Sequence, residues 1–562
     1  MASKSKQIFI ILSFIGLSFL FIIYCRYGVV FNGDDMPYHI NRIIEATTNL
    51  KDGHIYTVLM THTFKKIAYP LGIFYPSVTI FPFTLFGVLI SNPVHAIYAG
   101  FFFYTFLTLC TTYISFKKII NRRIGPYVGA IAYTFSSYHT INAYTRFALG
   151  EYLAMTFLPL AVYGFYAILF KDKKEWYYLA IGMIFIVTSH VLTTFIITLF
   201  FAILIFILLP WIKEKWVALR YIVLAGVVTL LGSSIFIYSF VQQELYQSFE
   251  QPSVWNLYNS SANASDIVLA LLNNSFKSAF DGNTYNLGIT LFIVTIVGIF
   301  RYKVLSNIGK IAVMVSLVTL LMTTKLFPWF IFQKTIFSVI QTPSRLLILT
   351  TLFSSYILCE LVQSYYMDAK NNVVKSYIII AVLIGILAPW SAGMHQILSS
   401  NTMTNWTKYT GTVKNYDNIE WALYLDQYTP RDGQKTLKEV SNNIAIIGRK
   451  KYKVTQIKSG YNKLVFEDNK IVNTKKVDIP VYRYLNYQIF NSKGQKLSVS
   501  KSKRGTILVN KRSGDKIVVR YVPSKGEIFT RVISIITWII LLSYAFIREG
   551  YRSKEQERLF NE

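Results

Sequence analysis

Long apolar runs separated by short polar stretches dominate the first 396 residues of this chain. An α-helix rises about 1.5 Å per residue, so about 20 apolar residues can cross a hydrocarbon layer. Counting 176–210 as two short crossings that turn near Ser189 and His190, the pattern predicts about twelve transmembrane helices. The runs are 7–30, 94–116, 127–143, 152–170, 176–210, 217–240, 287–300, 311–322, 346–362, 376–396 and 528–547. The predicted fold class is therefore a polytopic α-helical membrane protein.

Two further apolar stretches do not fit this pattern. Residues 69–90 are interrupted by Pro70, Pro76 and Pro82, which favours a re-entrant or surface-lying element covered by protein. Residues 325–340 mix aromatic and charged side chains, which favours an element that lies at the outer surface. Neither stretch is counted as a span.

Short alternating runs replace the long apolar ones between residues 401 and 527. Lys453–Ile457, Lys463–Phe466 and Lys516–Arg520 alternate and are bounded by Gly, Asn and Asp, as in antiparallel strands. We therefore predict a membrane domain over 1–396, with a first outer loop over 31–93. It is followed by a small β-rich domain over 397–527, and by a final helix with its tail over 528–562.

Composition and charge support a membrane location. Hydrophobic residues make up 53% of the chain and charged residues only 15%, which is unlike an ordinary soluble domain. The net charge of +29 could suggest nucleic acid, but the cations lie in short loops and in the β-rich region. Lys4 and Lys6 precede the first run and predict a cytoplasmic N-terminus. With about twelve spans, this orientation predicts a multi-pass protein with both termini in the cytoplasm and an extracellular β domain. The richness in Ile, Lys, Asn, Phe and Tyr is typical of an AT-rich bacterial genome, so the predicted location is a bacterial cell membrane.

An acidic pair follows the first apolar run, in Asn32-Gly33-Asp34-Asp35-Met36-Pro37. If Asp35 caps a helix that begins at Met36, Asp35, His39 and Arg42 line one face of that helix. Capping alone explains the same residues equally well, because Pro is favoured in the first helical turn.

Further ionisable residues fall at predicted membrane depth, where each charge is costly. They are Arg146, Glu151, His190 and Arg345, with Gln341 nearby. An ion pair in a hairpin, a structural histidine and an arginine that reaches lipid phosphates are the simpler explanations. Successive spans cross the membrane in alternating directions, however, and the predicted order of spans puts all of these residues on the same side of the membrane as the acidic pair. Carboxylates beside several cations could activate a hydroxyl and neutralise a phosphate leaving group.

These residues carry a resemblance to known families. The acidic pair after the first helix resembles the GT-C superfamily of integral-membrane glycosyltransferases, which take sugars from polyprenyl-phosphate carriers. Residues 146–151 followed by Pro159, then 188–191 and 341–345, resemble the bacterial YfhO-like family and its 6-pyruvoyl-tetrahydropterin-synthase-related relatives. Residues 428–430 are similar to a family Tyr-x-Pro. The aromatic pair in the family's Gln-Phe-Pro-Trp-Arg pattern is missing here.

The resemblance implies inverting sugar transfer, with Asp34 or Asp35 as the base. Arg345 and Arg146 would hold the departing polyprenyl phosphate. A divalent cation, Mg or Mn, at Asp34, Asp35 and Glu151 is left open. The remaining polar residues are assigned to substrate binding: His39, Arg42, Glu151, His190 and Gln341.

The implied acceptor is an extracellular polymer, such as teichoic acid or a polysaccharide, or a glycolipid. The excess of cations in the β domain predicts an anionic acceptor polymer or lipid headgroups as partner, and no nucleic acid; surface solubility explains the same charge equally well. Two other classes of function stay open. One is a transporter or flippase of a lipid-linked saccharide, and the other is a non-catalytic cell-envelope assembly factor.

Overall fold

A computed structural model describes residues 2–28, 30–31, 33–277, 284–399, 406–407 and 424–561. Within these ranges the first helices are α1 Ala2–Phe21, α2 Met36–Lys51, α3 Leu71–Phe74, α4 Phe81–Leu89, α5 Pro93–Ile120, α6 Ile124–Thr134, α7 Ser137–Ala143, α8 Leu149–Phe170, α9 Tyr177–Val187 and α10 Val191–Leu208. They are followed by α11 Lys215–Gly232, α12 Ser234–Tyr246, α13 Ala264–Leu272, α14 Ile289–Phe300, α15 Asn307–Met322, α16 Trp329–Phe332, α17 Leu347–Asp368, α18 Asn372–Ser399, α19 Leu437–Ser441, α20 Asn469–Val472 and α21 Lys525–Asn561.

Among the described residues, seven helical segments are long and apolar enough to cross a membrane. They are Pro93–Ile120, Leu149–Phe170, Val191–Trp211, Lys215–Gly232, Pro343–Asp368, Asn372–Ile397 and Lys525–Arg552. Four shorter apolar helices accompany them: Ser5–Phe21, Val78–Leu89, Ile289–Phe300 and Asn307–Met322. The helical, membrane-compatible class is confirmed, whereas the count of about twelve spans stays a prediction.

The helices that carry the predicted site residues lie at the centre of the bundle. The apolar windows of Leu149–Phe170 and Pro343–Asp368 are 78% and 94% buried, against 11% for Lys525–Arg552. Close approach of α8 and α9 depends on two glycines, since a Cβ at Gly164 or Gly182 would collide with backbone of the other helix. Helices α8 and α9 therefore pack with their backbones in close contact.

Several predicted spans are interrupted. The first helix ends at Phe21 rather than at residue 30, and a short 3-10 helix, Ile23–Tyr27, follows it. The run 127–143 is split into α6 and α7, because Ser136 caps a new helix by accepting a hydrogen bond from the His139 amide. The run 217–240 is likewise divided at Ser233, between α11 and α12. Hydrophobicity alone does not show such breaks.

The β domain contains two antiparallel sheets. The strands are β1 Val30–Phe31, β2 Trp406–Thr407, β3 Ile444–Ile447, β4 Lys450–Lys453, β5 Ile457–Gly460, β6 Lys463–Phe466, β7 Lys476–Tyr482, β8 Tyr487–Phe490, β9 Ser498–Lys501, β10 Thr506–Asn510 and β11 Ile517–Tyr521. One sheet has the order β4-β3-β7-β10-β9, the other β5-β6-β11-β8, and β1 pairs with β2. The predicted strand over 453–457 is not continuous, since Lys453 ends β4, Ile457 begins β5 and residues 454–456 connect them. The strands over 463–466 and 516–520 are found as β6 and β11.

The β domain packs on residues 54–69, which we term the docking loop. The Asn462 side-chain oxygen accepts hydrogen bonds from the amides of Val58, at 2.9 Å, and Leu59, at 2.8 Å. The Tyr461 hydroxyl donates to the carbonyl of Tyr56 at 2.8 Å. The β domain and the docking loop therefore form one body at one end of the bundle. Most of the predicted domain boundary, residues 400–405 and 408–423, lies outside the described residues.

Candidate active site

The acidic pair is joined to a turn between α7 and α8. The amides of Asp34 and Asp35 donate to the carbonyls of Thr145, at 3.2 Å, and Arg146, at 2.9 Å. Helix α2 begins at Met36, as the sequence predicts, but the Asp35 side chain accepts no capping hydrogen bond. Helix capping therefore does not account for this carboxylate.

Gly33 allows this close approach of the two segments. A Cβ at Gly33 would lie 2.5 Å from the carbonyl oxygen of Tyr144 and 2.8 Å from the Cβ of Phe147. Any larger residue would push the acidic pair away from the turn. Phe147 itself has a φ of 50°, a left-handed conformation that is costly for a bulky side chain. The turn between α7 and α8 is therefore packed directly against the backbone of Gly33.

The Asp35 carboxylate is partly buried and faces the site. It accepts a hydrogen bond of 2.9 Å from the hydroxyl of Tyr424, which comes from the start of the β domain. Burial raises the pKa of Asp35 above its ordinary value of 3.8, and the charge of Arg146, the Tyr424 hydroxyl and the charge of Arg345 offset this only in part. A carboxylate with a raised pKa accepts a proton more readily than a solvated one.

Glu151 lies at the centre of the site and is 1% exposed. Its Oε2 is 3.1 Å from Nη1 of Arg146 and 2.9 Å from Nη1 of Arg345, and its Oε1 accepts from the Tyr138 hydroxyl at 2.5 Å. We term Asp35, Arg146, Glu151 and Arg345 the acid–arginine cluster. Arg146 and Arg345 share the one fully buried carboxylate of Glu151, so these three side chains have an excess of positive charge that Asp35 balances when it is ionised.

Arg345 is positioned by Gln341, which precedes it by one helical turn. The Nη2 of Arg345 donates to the side-chain oxygen of Gln341 at 2.9 Å. Gln341 has a positive φ of 64°, and its side-chain Nε2 donates to the carbonyl of Ser253 at 3.2 Å. Among the described residues, the Nε of Arg345 is buried and has no hydrogen-bond partner. This donor is therefore available to a ligand.

His39 and Arg42 form a separate buried group on α2. Arg42 Nη1 lies 3.1 Å from His39 Nδ1, and Arg42 Nη2 donates to the carbonyl of Pro76 at 2.6 Å. The guanidinium lies 4.2 Å from the ring centre of Tyr75, in a cation–π contact. Burial, followed by the charge of Arg42, holds the pKa of His39 well below its ordinary value. These contacts fix the chain around the cluster, and substrate binding by His39 and Arg42 stays a prediction.

His190 lies in the turn between α9 and α10. Its Nδ1 is 2.8 Å from the Thr193 hydroxyl, and it caps α10 through the Thr193 amide. Burial, followed by the charge of Arg345, lowers the pKa of His190 to about 3. The ring is 6.2 Å from that of Tyr75. His190 is thus a neutral neighbour of the cluster at physiological pH.

Four residues that complete the site were not predicted from the sequence. The Asn142 side-chain oxygen accepts from Arg146 at 2.5 Å, and Tyr138 and Tyr424 contact the two acids of the cluster. The Tyr285 hydroxyl is 3.4 Å from the carboxylate of Asp34, and the Tyr285 ring centre is 5.2 Å from the Arg146 guanidinium. Tyrosine is too abundant here to stand out, with 40 copies. The four-residue spacing of Tyr138, Asn142 and Arg146 could have indicated a shared helical face.

The described residues do not fit a divalent cation. In this part of the chain no group of three or more His, Cys, Asp or Glu side chains is placed to hold a metal ion. Glu151 is neutralised by Arg146 and Arg345, and these cations would repel a divalent ion at Asp35.

Comparison with known proteins gives no family assignment. No family model matches this sequence, and no curated protein is detectably similar to it. The function must therefore be argued from the geometry of the site.

Proposed function

We propose that this protein is a membrane glycosyltransferase. It would move a sugar from a polyprenyl-phosphate-linked donor to an extracellular acceptor, with inversion at the anomeric carbon. The observation that supports this best is the acid–arginine cluster. Asp35, whose pKa is raised by burial, is held next to Arg146 by a backbone hydrogen bond of 2.9 Å, and Arg146 and Arg345 meet on Glu151 from distant parts of the chain.

In the proposed reaction, ionised Asp35 takes the proton of the acceptor hydroxyl as that oxygen attacks the anomeric carbon. The new carbon–oxygen bond forms on the face opposite the phosphate, and the bond from carbon to phosphate oxygen breaks. The departing phosphate carries the electron pair, and Arg345 and Arg146 stabilise its charge. Asp35 is assigned as the base because burial raises the pKa of its carboxyl group above the ordinary value.

The placement of charge supports an enzyme rather than a transporter. Glu151 and Arg345 lie near the ends of α8 and α17, whereas a transport site is expected near the membrane midplane. A transporter or flippase of a lipid-linked saccharide stays the alternative. It would bind the same donor without breaking the bond between sugar and phosphate.

The proposal places the cluster and the β domain on the extracellular side. Helix α8 runs from Glu151 to a cationic end at Lys171, and Lys117 and Lys118 end α5 on the same side. There Lys118 pairs with Glu175, at 3.4 Å, and with Glu549 of α21, at 2.8 Å. Cations collect on the cytoplasmic side of membrane proteins, so the opposite end, with the cluster, would face outward.

The acceptor would be an anionic wall polymer, a glycolipid or another envelope saccharide. The basic β domain borders the cluster through Tyr424 and could present such a polymer to Asp35. The third class of function, an assembly factor without catalysis, would use the same domain only to hold the polymer. It predicts that Asp35 is dispensable.

The test compares wall polymers and glycolipids by mass spectrometry in a deletion strain that carries each of several variants. Asp35→Asn should insert normally and leave a hexose missing from one product, as the deletion does. The matched control is Asp432→Asn, which removes an exposed carboxylate of the β domain and should restore the product. Full restoration by both Asp34→Asn and Asp35→Asn would overturn the proposal.

A further inference from the structure

A second cationic site lies away from the acid–arginine cluster. A cavity of about 510 Å³ opens where the docking loop, the β5–β6 hairpin and the start of α21 meet. Its lining includes His54, Tyr461, Lys463, Arg520 and Arg531. Nothing in the proposed transfer reaction uses these residues.

Two of the cations are placed directly opposite each other. Arg520 of β11 and Lys463 of β6 are register partners in the antiparallel pair. Like charges at such positions destabilise a sheet unless an opposite charge lies between or beside them. Among the described residues, neither side chain makes an ion pair with a carboxylate within 4.0 Å. An anion in the cavity would relieve this repulsion.

Arg531 supplies a third cation from the membrane helix. Its guanidinium lies 4.3 Å from the ring centre of Tyr56, and its Nε is buried without a hydrogen-bond partner in the described part of the chain. Glu527, one turn earlier, is the nearest acid on the helix, but its two oxygens accept from the Tyr521 hydroxyl and from Asn486. The Glu527 carboxylate is therefore engaged elsewhere, and Arg531 keeps a donor for a ligand.

The position of the cavity along α21 indicates the kind of ligand. Arg531 lies six residues after Lys525, about 9 Å along the helix at about 1.5 Å per residue. Around it, Phe529 and Val532 are 64% and 48% exposed, so this helix presents an apolar face to its surroundings. The cations therefore lie at the border between the polar β domain and an apolar surface, the depth of lipid headgroups.

One wall of the cavity is aromatic. The rings of His54 and Tyr461 stack with centroids 3.8 Å apart and planes within 10°. Such a flat wall can cover the glycerol part of a headgroup while the cations hold its phosphate. The cavity thus joins a phosphate-binding end to an apolar face along which acyl chains could lie.

We propose that this cavity binds the phosphate of an anionic membrane phospholipid of the phosphatidylglycerol type. The acyl chains lie along the exposed apolar face of α21. The lipid holds the β domain against the membrane at a fixed height, through Lys463 and Arg520 of the domain and Arg531 of the helix. The inference is independent of the proposed sugar transfer.

The test measures lipid binding to the full-length protein in mild detergent by native mass spectrometry, with phosphatidylglycerol and phosphatidylcholine as probes. Wild type should bind phosphatidylglycerol at least about tenfold more tightly than phosphatidylcholine. The double variant Lys463→Gln/Arg531→Gln should lose this preference. The matched control, Arg449→Gln/Lys450→Gln, removes two exposed cations from the other sheet and should keep it.

Three results would overturn the proposal. One is equal binding of the two lipids by wild type, which is decisive even if the double variant does not fold. Another is an equal loss of preference in the control, which would show a general charge effect. The third is saturation by inorganic phosphate or glycerol 3-phosphate with the affinity of the lipid, which would identify a soluble phosphate as the ligand. If Arg531→Lys still prefers phosphatidylglycerol, this result would support binding of the lipid phosphate by the positive charge at this position.

Discussion

Replacing Glu151 with Gln removes one negative charge from the centre of the acid–arginine cluster while keeping the shape of the side chain. In the native protein this carboxylate accepts from Arg146 at 3.1 Å, from Arg345 at 2.9 Å and from Tyr138 at 2.5 Å. The amide keeps one oxygen and adds two donors, which face groups that are themselves donors. Arg146 and Arg345 would then have only the Asp35 charge to offset two guanidinium groups.

The size of the effect follows from burial. Two unit charges about 4 Å apart attract by about 4 kcal/mol at an effective dielectric constant of about 20, and desolvation offsets much of this in the native pair. Removing one partner leaves the desolvation cost without the attraction, which typically costs about 3 to 5 kcal/mol. Arg146 keeps Asn142 as an acceptor and Arg345 keeps Gln341, so we expect the free energy of unfolding to fall by about 3 kcal/mol.

The assay is thermal unfolding of purified protein in detergent at one heating rate, because such unfolding is often irreversible. Glu151→Gln should lower the apparent midpoint by several degrees. Glu214→Gln is the control, since this carboxylate is 63% exposed and pairs with Lys173 at the surface, where ion pairs contribute little. A double-mutant cycle with Arg345→Gln should show a clearly non-additive coupling. An unchanged midpoint in Glu151→Gln, or strict additivity in the cycle, would refute the reasoning.

Three further predictions concern groups around the cluster and the docking loop. The pKa of Asp35 is raised in the folded state, so the ionised carboxylate destabilises the folded protein at pH values above that pKa. Asp35→Asn should therefore unfold no more easily than wild type at pH 7, although sugar transfer is lost. A large drop in the unfolding midpoint of Asp35→Asn would contradict this prediction. Burial raises the pKa of Glu45, but hydrogen bonds from His62 and its neighbours hold that pKa below 4.5, so the contribution of Glu45 to stability is present above that pH and is lost on acidification. Protection factors of amides in residues 54–69, which correct hydrogen exchange for its intrinsic pH dependence, should therefore fall at low pH in wild type and should be low at every pH in Glu45→Gln. Equal pH dependence of the protection factors in the two proteins would show that Glu45 is not the sensor. Asn462→Ala removes the acceptor of two buried amides and should lower the stability of the contact between the docking loop and the β domain by about 1 to 3 kcal/mol. Limited proteolysis between the docking loop and the β domain should become faster. Unchanged cleavage would mean that other contacts hold the two together.

The membrane class and the strands of the β domain could be predicted because they depend on local patterns. An apolar run of membrane length and an alternation of apolar and polar residues are visible within a few turns or strands. The start of α2 at Met36 was predicted for the same reason, from Asp35 and Pro37. The breaks at Ser136 and Ser233 were not predicted, because a short cap inside an apolar run changes the hydropathy very little.

The candidate site was predicted in its acids and arginines but not in its connections. The sequence indicated that Asp35, Arg146, Glu151 and Arg345 are costly charges in an apolar chain, and that parity brings them to one side. It did not indicate that Glu151 pairs with both arginines. It also did not indicate that the Asp35 side chain accepts a hydrogen bond from Tyr424 and does not cap α2.

The sequence alone determined which segments are apolar, which alternate, and where charge is rare enough to need a partner. The tertiary structure decided which partner each charge takes. Tyr424 reaches Asp35 across 389 positions of sequence. Such pairings arise only when helices and sheets have packed, because the free energy of a buried ion pair or hydrogen bond depends on distance and desolvation, and neither quantity is recorded in the order of residues.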